Sequence, residues 1–361
     1  MSAFVASVAV GAAVAMSVVS LAGQAQVPEW AANLPDASVA KAFIASQVQE
    51  KWDPPTTPWG DPDISGVFTT KDEANTPMER PEQWAGRRME DISSEELAVD
   101  IVGRQQRALE TAPFAGGGEP AEGVAIAVPI HWFDNLAAQN ARPWFVIDPP
   151  EGKIPPLLGT TQNQAPPLDP DARLRGGRRD TYRDRSLGDR CIAWGAWRTP
   201  TIYGNSYQIV QTPDYVVIRQ EQVHEARIVP LDTASALSPA IRSYLGQARG
   251  YWDGNTLVVV TANYHNQMRV RAFGALGRNL LPAGKLRLIE RFTRIAPDKV
   301  EWSMTFDDST VWPRPWTFSL PMTEDDGQII HEYACHEGNY GLANLLSAGR
   351  TAEAADAGGT R

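Results

Sequence analysis

Leu286-Arg287-Leu288-Ile289-Glu290-Arg291-Phe292-Thr293-Arg294-Ile295 and Val300-Glu301-Trp302-Ser303-Met304-Thr305-Phe306-Asp307 flank the turn Ala296-Pro297-Asp298-Lys299. The pair reads as a β-hairpin, with side chains alternating between two faces along each strand. Val300, Trp302, Met304 and Phe306 share one apolar face, and Glu301, Ser303, Thr305 and Asp307 share the other. The first strand is less clean. Leu286, Leu288 and Phe292 form its apolar face, and Glu290 stands among them. An ionised carboxylate on a core face needs a partner or a raised pKa. Glu290 is therefore a candidate general acid or base in a barrel interior. The alternative is a buried ion pair with Arg219, which shares a strand face with Tyr215 and Val217.

The same texture extends on both sides of this hairpin. Tyr207–Gln211 and Tyr215–Gln220 flank Thr212-Pro213-Asp214, and Val223–Leu231 follows. Gly250–Trp252 and Thr256–Asn263 flank Asp253-Gly254-Asn255, a strong hairpin turn. Trp312–Leu320 and Gln328–Cys335 complete the set, and Tyr340–Arg350 reads as a closing helix. Short antiparallel strands with short connections predict a mainly β chain. Its expected form is a meander in a barrel-like (calycin-like) domain, with a two-sheet sandwich as the alternative.

Upstream, a helix is expected from Ser93 or Ser94, with Glu95 and Glu96 in its first turn, through Leu97, Ile101 and Val102 towards Leu109. Gly116-Gly117-Gly118 breaks that pattern, and residues 149–180 read as a long covering loop. The expected divisions are a signal peptide over 1–25, an N-terminal extension of helices and long loops over 26–185, a β-barrel-like domain with its closing helix over 186–350, and a disordered tail over 351–361.

Composition narrows the function classes. With 361 residues, 43% of them apolar and 21% charged, the chain is long enough for one or two packed units. Its 28 Pro and 29 Gly argue for many turns and against a helical bundle. The net charge of −10 makes a nucleic-acid partner improbable. No phosphate-cradling Gly-rich loop or Gly-x-Ser-x-Gly elbow is present, which lowers nucleotide binding and α/β-hydrolase chemistry.

Residues 1–25 carry no charge and offer small residues before Gln26, as a cleavable signal does; the alternative is a membrane anchor. Cleavage predicts a periplasmic or secreted protein with no membrane contact afterwards. In an oxidising compartment the only two cysteines, Cys191 and Cys335, are expected to form a disulfide. The alternative is a catalytic thiol at Cys335 beside His336.

The densest polar patch is His331-Glu332-Tyr333-Ala334-Cys335-His336-Glu337-Gly338-Asn339-Tyr340. Read as a strand, it places His331, Tyr333, Cys335 and Glu337 on one face and His336 on the other. The histidine spacing does not match the helical zinc-protease pattern, so neither a metal nor another cofactor is expected. His331, His336 and Glu337 remain candidates for proton transfer, against a strand end with merely satisfied histidines. Tyr215, Arg219, Tyr333 and Trp252 are candidates for holding a small-molecule substrate. The arginine run from Arg173 to Arg190 is either a clamp on a substrate carboxylate or a self-paired loop. The tryptophans at 194, 197, 252, 302, 312 and 316 line a pocket or fill the core. Oligomeric state is not set by these patterns.

Several segments together are familiar. They are Pro58-Trp59-Gly60-Asp61-Pro62-Asp63-Ile64-Ser65-Gly66, Asp189-Arg190-Cys191, Ile209-Val210-Gln211-Thr212-Pro213, Arg249-Gly250-Tyr251-Trp252-Asp253-Gly254-Asn255-Thr256-Leu257-Val258-Val259, Glu290-Arg291-Phe292-Thr293-Arg294 and Glu332-Tyr333-Ala334-Cys335-His336-Glu337-Gly338-Asn339-Tyr340-Gly341-Leu342. They resemble a large, mostly uncharacterised family of exported bacterial proteins over about residues 50–350. The resemblance implies export and a single domain unit, and brings no catalytic list.

The expected activity is a cofactor-independent lyase, by elimination or non-oxidative decarboxylation of a small aromatic acid. Arg and Tyr would hold the acid while Glu290 or a histidine moves a proton. These parts are similar in kind to those of phenolic acid decarboxylases. An ester or lactone hydrolase and a non-catalytic binding protein are the alternatives.

Overall fold

A computed structural model describes residues 27–111, 142–159, 181–195, 198–201, 203–231, 238–271, 280–325, 327 and 330–358. Its centre is the predicted hairpin. Strands β10 (Arg287–Ala296) and β11 (Lys299–Asp307) pair antiparallel, with Glu290 opposite Met304 and Phe292 opposite Trp302. The other strands are β1 (Gly66–Thr69), β2 (Val146–Asp148), β3 (Ser206–Gln211), β4 (Tyr215–Gln220), β5 (Ala226–Pro230), β6 (Gln247–Asp253), β7 (Thr256–Ala262), β8 (Arg269–Arg271), β9 (Leu280–Pro282) and β12 (Trp316–Glu324). The main sheet runs β5-β4-β3-β1-β12-β11-β10-β7-β6, with β2 added on β12, while β8 and β9 form a separate ribbon. The chain is therefore mainly β, with an antiparallel sheet of nine strands nearly closed into a barrel.

The edges β5 and β6 meet at Gly250. A Cβ there would lie 2.9 Å from both Val229 Cγ1 and Leu231 Cδ2. Glycine thus sets how closely the seam can approach. Gly250→Ala is expected to destabilise the protein by about 1–3 kcal/mol through overpacking, read as a lower urea midpoint at unchanged slope.

Inside the barrel, Leu288, Phe292, Trp302, Met304 and Phe306 are each at most 1% exposed. The outer face of this region is buried too. Val258, Val260 and Ile289 lie beneath Trp30 and Leu34 of the N-terminal segment. Helix α1 (Ser38–Gln47) turns Ala40 and Ile44 inward, and Trp52 Nε1 donates to the Arg294 carbonyl. The face of β11 that reads as polar in the sequence is covered as well, with Glu301 and Ser303 fully buried. Arg142 reaches Glu301 at 2.6 Å, and Ser319 Oγ donates to the same carboxylate at 2.5 Å. Burial pushes the Glu301 carboxyl up, against the pull of Arg142 and Ser319.

The expected N-terminal helix is present, and several other expectations are corrected. The helix predicted at Ser93 or Ser94 is α2 (Ser94–Thr111), and Ser93 and Glu96 cap it reciprocally through each other's backbone N–H. The boundary at 185/186 does not separate an extension from a barrel, because β1 lies between β3 and β12 and β2 pairs with β12. Residues 330–335 form no strand and run irregularly into a turn. The closing helix α3 spans Tyr340–Gly358, so residues 351–358 are helical rather than a disordered tail. Ala352, Ala354, Ala355 and Ala357 favour helix, and Arg350 pairs with Glu353 at 3.0 Å. The signal-peptide reading of 1–25, most of the loop at 149–180 and the tail end 359–361 lie outside the described residues. No helix among the described residues is long and apolar enough to cross a membrane.

Candidate active site

Glu290 is fully buried in the barrel interior, as its place in the alternation requires. Its partner is Arg227 on β5 rather than Arg219 on β4. Arg227 Nη1 and Nη2 donate to Glu290 Oε2 and Oε1 at 2.5 and 2.9 Å, and Trp302 Nε1 adds a third bond to Oε1 at 3.2 Å. Burial works against the Arg227 charge, but Glu290 outweighs it and the guanidinium pKa is raised. Arg219 cannot take this place because Val216, Ile218 and Gln220 are the inward residues of β4. Tyr215 is 46% exposed and Arg219 is half-buried on the outward face. The two side chains therefore do not meet Glu290.

A second buried carboxylate, Glu225, forms the polar end of the interior. It follows a short helical turn whose Val223 has φ +60°, and it sits just before β5. Trp194 N–H donates to Glu225 Oε1 at 2.8 Å, and Gln220 Nε2 donates to Oε2 at 2.7 Å. Burial pushes its carboxyl up to about 7, opposed by the backbone N–H groups of Trp194 and Gly195 and by Arg227 and Arg198. Beside it, Gly195, Tyr207, Ile218, Gln220, Glu225 and Arg227 line a small cavity with room for about one water molecule. Tyr207 packs edge-on against Trp302 at 5.2 Å, and burial pushes its hydroxyl pKa up.

Gly195, four residues after Cys191, contributes to the cavity wall, so the disulfide anchors one side of it. Cys191 and Cys335 are bonded across a sequence separation of 144. Asn339 Nδ2 reinforces the junction by donating to the Asp189 carbonyl at 2.8 Å. From the Cys191 side the strap supplies Trp194 and Gly195. From the other side Tyr333 stacks on Tyr203 with centroids 6.5 Å apart, and burial, followed by the Tyr203 hydrogen bond, pushes its phenol up to about 12. Arg198 lies over the Trp194 ring at 5.1 Å. Its Nη1 is buried without a hydrogen-bond partner among the described residues, and desolvation lowers its pKa.

Of the predicted site residues, Glu290 is in the interior, Tyr333 stacks on Tyr203 away from it, and Trp252 packs half-buried against the interior cluster. His331, His336 and Glu337 are exposed on the turn around Cys335 and do not enter the interior. The reason is the missing strand: without regular alternation, no shared face carries them inward. No group of three or more metal-ligating side chains occurs among the described residues. Of the arginine run, residues 173–179 lie outside the described residues, while Arg185 pairs with Asp189 at 3.0 Å and Arg183 and Arg190 lie over Tyr182. Trp302, Trp312 and Trp316 are core residues, whereas Trp194 is 41% exposed at the mouth.

Sequence reasoning misses Glu225, Arg227 and Arg198. The one signal for Arg227 is its spacing of two from Val229, masked by the more apolar Ile228, which is 62% exposed. Comparison with family models, curated proteins and solved structures returns no match.

Proposed function

We propose that this barrel is an acid–base lyase for a small carboxylic acid, with Glu225 rather than Glu290 as the proton carrier. The observation that carries this reading is Glu225 itself, a buried carboxyl with its pKa pushed up to about 7, lining a cavity beside Arg227 and Tyr207. A carboxyl tuned near neutral pH is suited to proton transfer. Glu290 already forms a closed pair with Arg227 and has no lone acceptor role to offer. Arg198, with an unpartnered buried donor, suits the substrate's carboxylate or phenolate at the mouth. The carbon that takes the proton would lie over the cavity beside Glu225, and an aromatic remainder would lie among Trp194, Tyr203 and Tyr333.

In a decarboxylation the bond from the carboxyl carbon breaks, carbon dioxide leaves, and the electron pair stays on the adjacent carbon. Protonated Glu225 donates its proton there and is reprotonated from solvent. The required form is the acid, so turnover is expected to fall as pH rises through about 7. The same shift has a stability sign. The native state holds the Glu225 proton more tightly than the unfolded chain, so this group's favourable contribution is present below pH 4.5 and lost as pH rises towards 7.

The test is a mass-resolved screen of aromatic acids, esters and lactones with wild type and Glu225→Gln. A product lighter by carbon dioxide, with turnover reduced at least about a hundredfold in Glu225→Gln and binding retained, is expected. A product gaining water identifies a hydrolase instead. Ligand retained unchanged by both proteins identifies a binding protein.

A further inference from the structure

On the outer face of the barrel, under the N-terminal layer, three buried polar atoms have no hydrogen-bond partner among the described residues: Arg291 Nε, Ser303 Oγ and Trp30 Nε1. Arg291 is 4% exposed, and no hydrogen bond or ion pair reaches its side chain among the described residues; its Nε is fully buried. Directly across the β10–β11 pair stands Ser303, fully buried, with an unpartnered Oγ. On the other side Arg291 pairs with Val258, and Val258 with Tyr251. Tyr251 meets Trp30 edge-on at 5.7 Å, and Trp30 Nε1 is a third buried donor with no partner.

The charges nearby are already committed. Glu301 is held by Arg142 and Ser319. Asp253 is the nearest other carboxylate, and Lys41 takes it at 2.6 Å at the rim. Asp253 acts on Arg291 only from a distance, and among the described residues no carboxylate meets the Arg291 guanidinium within ion-pair distance. A buried charge without a counter-charge is strongly unfavourable, and adding an acceptor is what would relieve it.

We infer that Arg291 and Ser303, with Trp30 at the edge, form a binding site for a small monovalent anion of halide or acetate size. The site lies on the opposite side of the sheet from Glu290, so it is separate from the acid–base site and independent of the proposed reaction. An anion there would join the strand face to the Trp30–Leu34 segment.

The experiment is thermal unfolding of the full chain at constant ionic strength, with gluconate replaced stepwise by chloride or acetate. Wild type is expected to show a saturable rise in Tm with either anion. Arg291→Met should show none, and Ser303→Ala should need about tenfold more anion for half the effect. An unsaturable response, or the same titration in Ser303→Ala as in wild type, overturns the proposal. Should Arg291→Met not fold, the Ser303→Ala titration decides alone. Bromide located beside Arg291 by anomalous diffraction supports the site, and bromide bound only elsewhere overturns it.

Discussion

Glu290→Gln is expected to lower stability by about 3–5 kcal/mol, the cost of leaving the buried Arg227 without its counter-charge. Arg227 is 6% exposed and Glu290 is not exposed at all, so water cannot take over either role. The amide would keep one acceptor for Arg227 and Trp302 but remove the charge that offsets the buried guanidinium. Replacing both residues together, as Glu290→Met with Arg227→Leu, is expected to recover most of the loss, because apolar side chains need no desolvation compensation. Urea unfolding of the two singles and the double forms a thermodynamic cycle for the pair. A single variant with an unshifted midpoint would show that the pair contributes nothing. The cycle also separates structure from chemistry. If Glu225 carries the proton, Glu290→Gln should lose stability far more than turnover per folded molecule, while Glu225→Gln should do the reverse.

Removing the disulfide has an effect of similar size. A loop closed over 144 residues contributes about 4–5 kcal/mol in the chain-entropy account. Cys191→Ser with Cys335→Ser should therefore move the urea midpoint down sharply, and a dithiol reductant should do the same to wild type. A matching midpoint for the reduced and oxidised proteins would contradict this. The local consequence is different in kind. The bond holds the strap from which Trp194 donates to Glu225 Oε1, one of the contacts that hold the Glu225 carboxyl down against burial. Freed of that contact, the carboxyl should titrate higher, and the pH at which turnover falls should rise with it.

The parts of the fold that were legible in the sequence are those built from local pairing. The β10–β11 hairpin, the β6–β7 hairpin around Asp253-Gly254-Asn255 and the β3–β4 hairpin around Thr212-Pro213-Asp214 each have both strands and a turn within a short window. Alternation within β10 was enough to place Glu290 inside. Strands β1 and β2 were not legible because each is short and finds its partners far away in the chain, Gly66 opposite Ile209 and Thr317 opposite Asp148. Residues 330–335 show the converse, since period-two alternation without a neighbouring strand does not make a sheet. Within the site, Glu225 sits in a connection with no periodic signal. Arg227 and Ile228 invert the usual rule, because the charged residue faces Glu290 and the apolar one faces solvent.

Strand β1 has one further consequence. It sits between β3 and β12, with Phe68 opposite Tyr207 on one side and Glu324 on the other. During synthesis β1 waits for β12, so the sheet cannot be completed until residues up to 324 have left the ribosome. Contacts this distant in sequence make for slow assembly. A transcript cut short before residue 316 would strand β1, β2 and β11 at once, since β12 is the neighbour of all three. For this protein the last strand is the keystone, and truncated products should be unfolded rather than shortened barrels.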